Sequence, residues 1–261
     1  MPKVAITGKG GVGKTTLAAL FAQIYANLGQ NVIAIDADPS PNLAYALGFP
    51  EELASRITPI AELSDLIAER TGTQPGGYGI LFKLNPRVDD IPERFSATHR
   101  GVKLLVMGTI KRGGAGCICP ESALLKSLVS HLLLRRSEVV ILDMEAGIEH
   151  LGRGTASAVD ALLIVVEPSL RSLQTARTIR RLARDIGIGK IFVVGNKVRN
   201  QTDRDFISQN LPGYSIIGFI SYSPLAIEAD LKGLPVFDLD ERMVEEAEAI
   251  VKKLSFCYEK D

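Results

Sequence analysis

Two short runs in this 261-residue sequence place reactive side chains and permissive backbone together: Gly8-Lys9-Gly10-Gly11-Val12-Gly13-Lys14-Thr15-Thr16 and Cys117-Ile118-Cys119. In the first, the glycines let successive backbone N–H groups curl around a polyphosphate. Lys14 is then positioned to reach the β- and γ-phosphates, and the Thr15 hydroxyl to ligate Mg²⁺. The apolar stretch Val4-Ala5-Ile6 reads as a strand before the loop. An amphipathic run from Thr16 to Leu28, stopped by Gly29, reads as the helix whose N-terminus faces the charge. Lys9 is surplus to this plan, because Lys14 already serves one nucleotide within one chain. It is either a solvated loop lysine or a group that reaches elsewhere.

Carboxylates follow at strand ends. Val139-Val140-Ile141-Leu142-Asp143 is an apolar run closed by an acid that can hold Mg²⁺, in part through water. Ala146-Gly147 just beyond suits a loop that moves near the γ-phosphate. Asp36-Ala37-Asp38-Pro39 ends the second strand, and its two carboxylates are expected to point apart and hold separate roles. Asp38 can instead cap a helix starting near Pro41. Asn196-Lys197 follows another apolar run, where the asparagine can end the strand as a turn residue.

The second run, Gly113-Gly114-Ala115-Gly116-Cys117-Ile118-Cys119-Pro120, offers two thiols just before a helix that Pro120 and Glu121 can open. That helix end, with Lys111 and Arg112, favours thiolate, a ligand for Zn²⁺ or nickel. Two thiols are half of a tetrahedral site. A two-fold dimer would complete it with four sulfurs. A redox pair or a tight turn of small residues remains open, and Cys257 reads as a spectator.

The elements that must position these residues alternate. Lys3–Thr7, Val32–Asp36, Lys103–Met107, Val139–Asp143, Leu162–Glu167, Ile191–Gly195 and Ile216–Ile220 read as strands. Thr16–Leu28, Glu121–Leu134, Ser172–Ile186 and Glu241–Leu254 read as helices. Continuous apolar strands separated by helices predict a single α/β domain over 1–261, with a doubly wound, mostly parallel sheet covered on both faces. Its ligands then lie beyond the strand carboxyl ends. Between Thr71 and Arg100, Gly and Pro residues predict an irregular insertion.

Composition limits the partners. Thirty Lys plus Arg balance thirty Asp plus Glu, so no global field draws the chain to nucleic acid or anionic lipid. Arg177, Arg181 and Arg184 share a helical face that reads as a solvated surface or a local patch. No apolar run approaches the ~18 residues of a membrane span. Met1-Pro2-Lys3 runs straight into the first strand, so a cytoplasmic protein is expected, with neither membrane nor nucleic acid as partner.

With Lys9 ahead of Lys14, the glycine-rich loop resembles the deviant Walker A motif of the MinD/ParA/nitrogenase-iron-protein group. That resemblance implies a P-loop ATPase hydrolysing ATP with Mg²⁺, in which Lys9 crosses a homodimer interface to the partner's nucleotide. It also implies that Asp38 orients the attacking water, Asp36 supports the Mg²⁺ shell, Asp143 is the Walker B acid and Asn196 binds adenine. From Lys103 through Gly154, including MGTIKRGGAGCICPESALLKSL and VVILDMEAGIEHLGRGT, and over FKLNPRVDDIPERF (Phe82–Phe95), the chain resembles the CooC-type ATPases. Those mature nickel-dependent carbon monoxide dehydrogenase. This second resemblance implies a homodimer that carries Ni²⁺, or Zn²⁺, on Cys117 and Cys119 of both chains, with carbon monoxide dehydrogenase as client and acetyl-CoA synthase as the alternative. Two other readings compete: a positioning ATPase on DNA or membrane, which the charge balance and glutamate-rich last helix disfavour, and an iron–sulfur electron donor, whose cysteines would be well separated.

Overall fold

The computed structural model describes residues 1–75, 81–108, 119–148, 151, 155 and 158–258, with side chains through residue 255. Among these, eight strands form one sheet: β1 (Lys3–Gly8), β2 (Val32–Ala37), β3 (Ala97–His99), β4 (Val102–Val106), β5 (Val139–Met144), β6 (Ala161–Val166), β7 (Ile191–Val198) and β8 (Ser215–Ser221). Their order is β3-β4-β2-β5-β1-β6-β7-β8. The antiparallel pair is β3 with β4, and the other neighbours are parallel. The helices are α1 (Lys14–Asn27), α2 (Leu43–Ala46), α3 (Glu51–Ala54), α4 (Ser64–Thr71), α5 (Ile91–Phe95), α6 (Pro120–Arg135), α7 (Leu170–Asp185), α8 (Gln201–Asn210), α9 (Pro224–Lys232) and α10 (Glu241–Tyr258). The sheet matches the doubly wound α/β expectation.

The strands are apolar at nearly every position because both faces of the sheet are buried. Alternate residues belong to different cores. Val4, Ile6, Val32, Ala34, Val139 and Ile141 join α1 and α10 on one face. Ala5, Ile33, Ile35, Val140, Leu142 and Met144 join α4, α6 and α7 on the other. Strand alternation thus fixes which face each later residue of the same strand will take.

In the stretch between Thr71 and Arg100, residues 72–75 and 81–90 are irregular, and regular elements occur, among the described residues, only over residues 91–99. The stretch returns to the body through α5 and the edge strand β3. Pro92 sits in the first turn of α5, where its missing N–H costs nothing. Asp90 accepts from Arg70 at 2.7 Å and from Arg94 at 2.8 Å, and Arg136 at the end of α6 reaches Glu93 at 2.6 Å. Elements of three to five residues leave too short a periodic trace to be read from sequence. Residues 76–80 of this stretch lie outside the described residues.

On α7, two of the arginines hold the molecule together. Arg177 donates to Asn210 O at 2.6 Å and Arg180 to Gly213 O at 2.9 Å, and the Arg180 guanidinium stacks 3.9 Å from the Tyr214 ring centre. Arg181 and Arg184 are exposed, as a solvated face requires. Among the described residues, no helix is long and apolar enough to cross a membrane.

The last helix packs tightly on β8. A Cβ on Gly218 would come within 2.4 Å of Ile250 Cγ1. Gly218→Ala should therefore cost about 1–3 kcal/mol of stability by overpacking. Urea denaturation checks this, and the same substitution in an Ile250→Ala background should cost distinctly less, because the clashing atoms are gone.

Candidate nucleotide and metal site

Parallel register builds the centre of the site. Asp36 on β2 pairs with Asp143 on β5, and Ile6 on β1 pairs with the same Asp143. Asp36 continues the series Val32-Ala34, and Asp143 the series Val139-Ile141, so both carboxylates lie on the α1 face. Both are buried. Burial pushes the Asp36 carboxyl up to about 6, against hydrogen bonds from backbone N–H groups. Burial pushes Asp143 up to about 7; the Thr15 hydroxyl and Lys14 pull it down, while the neighbouring Asp36 and Asp38 charges raise it.

The two acids are satisfied very differently. Asp36 Oδ1 accepts from the Asp38 N–H at 3.1 Å and Oδ2 from the Leu43 N–H at 2.8 Å. It therefore pins the turn that follows β2 and the start of α2. Both oxygens of Asp143 are buried without a hydrogen-bond partner. A buried carboxyl with no hydrogen-bond partner of its own, next to a threonine hydroxyl and a lysine, is a site with room for a cation. Asp143 and Thr15 thus fit Mg²⁺, which would supply charge neutralisation and hold water in place.

The expectation for Asp36 and Asp38 is corrected. Residues two apart in a strand share a face, and in any case the chain leaves β2 at Ala37. Asp38 folds back so that its N–H meets Asp36, and its own Oδ1 accepts from Ser40 N–H at 2.9 Å. Nor does Asp38 cap α2: the residue before that helix is Asn42, and the acid bound at its first turn is Asp36.

The loop after β1 is shaped for an anion. Gly11 and Gly13 have φ of 78° and 93°, in the left-handed region. A Cβ on Gly13 would meet Asn196 Nδ2 at 2.2 Å, and one on Gly8 would meet Val165 O at 2.4 Å. Lys14 opens α1, and no side chain caps that helix and no acid occupies its first turn. Its free N–H groups and positive end are therefore available to phosphate. Thr7 ties this strand to the segment after Asp143: its hydroxyl is shared between Glu145 O at 2.7 Å and Gly147 O at 3.0 Å.

Within the loop, Lys9 O accepts from the Val12 N–H at 3.3 Å, and the carbonyls further along need donors from elsewhere. Strand β7 supplies two. Asn196 Nδ2 donates to Val12 O at 2.7 Å, and Lys197 Nζ to Gly11 O at 2.6 Å. Asn196 lies inside β7 and so does not end the strand, and its Oδ1 accepts from the Lys197 N–H at 2.8 Å. Lys197 itself has φ of 57°, where β7 departs from regular pairing with β8.

Glu167, one residue past β6, was not singled out by the sequence. Lys9 Nζ lies 3.5 Å from its Oε1 and Lys197 Nζ 3.9 Å from its Oε2. The register explains the meeting: Gly8 pairs with Val165, so the next residues of the two strands emerge side by side. The available signal was an acid directly after the apolar run Leu162–Val166.

Cys119 is the residue before α6, and its Sγ accepts from Ser122 N–H at 3.4 Å. It is buried. Cys117 lies outside the described residues, as does the side chain of Cys257. Among the described residues, no cluster of three His, Cys, Asp or Glu groups that could hold a metal is found.

Raised carboxyls have a sign. With Asp36 near 6 and Asp143 near 7 against an ordinary 3.8, the folded chain keeps protons that the unfolded chain releases. Stability of the nucleotide- and metal-free protein should therefore fall as pH rises from about 4 to about 7. Thermal midpoints across that range check it, and Asp143→Asn should flatten most of the slope. A second expectation concerns the brace: Asn196→Ala removes a donor from Val12 O and should weaken nucleotide binding by roughly ten-fold, about one hydrogen bond to a buried acceptor.

The sequence matches the CobQ/CobB/MinD/ParA nucleotide binding domain family over residues 3–236. It is 48% identical to the carbon monoxide dehydrogenase accessory protein CooC of Rhodospirillum rubrum, covering 97% of this chain and 95% of that one. It is 47% identical to an uncharacterized ATP-binding protein of Methanocaldococcus jannaschii, over 95% of each chain. Among solved structures, the MinC:MinD cell division complex of Aquifex aeolicus superposes with a TM-score of 0.70 at 23% identity, covering 98% of this chain and 96% of that one, which shows the shared fold. The chain belongs to the MinD/ParA group of P-loop nucleotide-binding proteins and, within it, to the CooC type.

Proposed function

We propose that this protein is an ATP-driven nickel metallochaperone that serves carbon monoxide dehydrogenase. The observation that carries the reading is Cys119 Sγ held at the N-terminus of α6, where it accepts the Ser122 N–H. It belongs to a chain with a P-loop nucleotide site and with high identity to a carbon monoxide dehydrogenase accessory protein. With Cys117 two residues earlier, each chain offers two sulfurs, and a homodimer offers four for Ni²⁺; Zn²⁺ suits the same donors. The metal is cargo. Acetyl-CoA synthase is the other client of matching chemistry, and the cytoplasm is the compartment that keeps such thiols reduced.

In this reading ATP is bound by the loop from Gly8 to Thr16, with Lys14 on the β- and γ-phosphates and Asn196 beside the base. Thr15, Asp143 and, through the turn it pins, Asp36 hold Mg²⁺, which neutralises charge on the transferred phosphoryl group. Asp38 orients the attacking water. Lys9 leaves Glu167 to reach the partner's nucleotide, so closure of the dimer and assembly of the four-sulfur site are one event. Hydrolysis reopens the pair and releases the metal to the client.

Each part has a separate readout. Cys117→Ala with Cys119→Ala should abolish nickel binding, measured by equilibrium dialysis, from one ion per dimer to none while ATP hydrolysis persists; unchanged stoichiometry would sink the metal assignment. Lys9→Ala should bind ATP yet remain monomeric by sedimentation with it. Glu167→Gln should strengthen ATP-dependent dimerisation by a few-fold, the scale of a half-exposed ion pair.

A further inference from the structure

A groove on the described surface lies away from the nucleotide loop. It has a volume of about 610 Å³ and runs along the outer stripe of α6, walled on one side by Leu84, Pro86 and Val88 of the segment before α5. Its floor is Ala123, Lys126, Ser127, Ser130, His131 and Leu134, spaced at three and four residues, so it is one continuous helix face. That face spans roughly 16 Å, about three helical turns.

Three observations say what would fill it. First, its charge is one-sided. Lys126 and Arg135 line it without an ion-pair partner among the described residues, and no carboxylate lines it there. The nearest acids are already matched, Asp89 to Arg87 and Glu93 to Arg136. Second, Ser127 and Ser130 line the floor beside His131, and their hydroxyls can donate to carboxylate or carbonyl oxygens of an entering segment. Third, apolar anchors stand exposed at the rim: Leu84 is 59% and Leu134 52% exposed, while Ala123, Ser127 and Ser130 are small enough for close approach between them. An acidic peptide segment with apolar residues at its ends is complementary on all three counts.

The position of the groove points to whose segment this is. Ser122 lines its N-terminal end, and the Ser122 N–H is the group that donates to Cys119 Sγ. A segment lying in the groove therefore ends beside the thiol. We propose that the α6 groove is the docking site for an acidic segment of the metal-receiving enzyme, placing that enzyme against the cysteine pair. This rests on the accessory role proposed above.

The test uses the full-length protein and purified nickel-free carbon monoxide dehydrogenase, with binding followed by biolayer interferometry. Lys126→Glu reverses the central charge, Ser130→Phe fills the floor, and Lys252→Glu on α10 controls for charge on the opposite face of the sheet. The expected result is that Lys126→Glu and Ser130→Phe each weaken binding by about ten-fold or more. Lys252→Glu should bind normally, and all three should keep nickel stoichiometry and ATP hydrolysis. Equal binding by every variant would overturn the docking site and leave the accessory role standing. Loss of the ATP-dependent dimer in the groove variants would overturn it in favour of a self-interface. Failure of the unaltered protein both to bind the dehydrogenase and to raise its nickel content would overturn the accessory role, and this inference with it.

Discussion

The arrangement depends on two carboxylates forced together by parallel strand register. Pairing β2 with β5 sets Asp36 opposite Asp143 on the same face, beneath the loop that follows β1. Neither acid is exposed, and burial makes ionising the pair costly, which raises both carboxyls above their ordinary range. The cost is divided unequally: Asp36 is satisfied by two backbone N–H groups, while Asp143 is left open. One acid is a structural pin and the other waits for a cation. A sheet in which β2 and β5 were not neighbours would separate them.

The phosphate loop is held by the same logic of shared obligations. Its Gly11 and Val12 carbonyls are answered from outside the loop, by Lys197 and Asn196 at the neighbouring end of β7. The loop's conformation is thereby tied to a strand at some distance in sequence. Glu167 extends the tie, because it faces both Lys9 and Lys197. In the proposed dimer, movement of Lys9 toward the partner would disturb the same small group that braces the loop. This gives a physical route by which nucleotide occupancy and association of two chains can be coupled.

Cysteine chemistry and nucleotide chemistry sit on different helices of one sheet. Cys119 caps α6, which packs in the core opposite to the one that α1 joins. Communication between them has to pass through the sheet or through the loops at its carboxyl end. Thr7 is a direct example of the second: its hydroxyl links the β1 strand to the backbone after Asp143.

Seven of the eight strands, the long helices α1, α6, α7 and α10, the phosphate loop and the acid at the end of β5 were legible in the sequence, because each is a local pattern: apolar runs, helical periodicity, glycine spacing, a carboxylate after a hydrophobic stretch. The short helix α5 and edge strand β3 were not, since elements of three to five residues leave no periodic trace and Pro92 reads as a breaker until its place in a first turn is known. Which carboxylate anchors α2 was likewise hidden. Asp36 and Asp38 look interchangeable as text, and burial together with the fold-back of the Asp38 N–H distinguishes them. Glu167, Lys197 and the Asn196 brace belong to tertiary structure alone, because their partners lie far away in sequence and meet only through the β1–β6–β7 register. Local spacing determined what chemistry the chain carries. Strand order decided which groups share it.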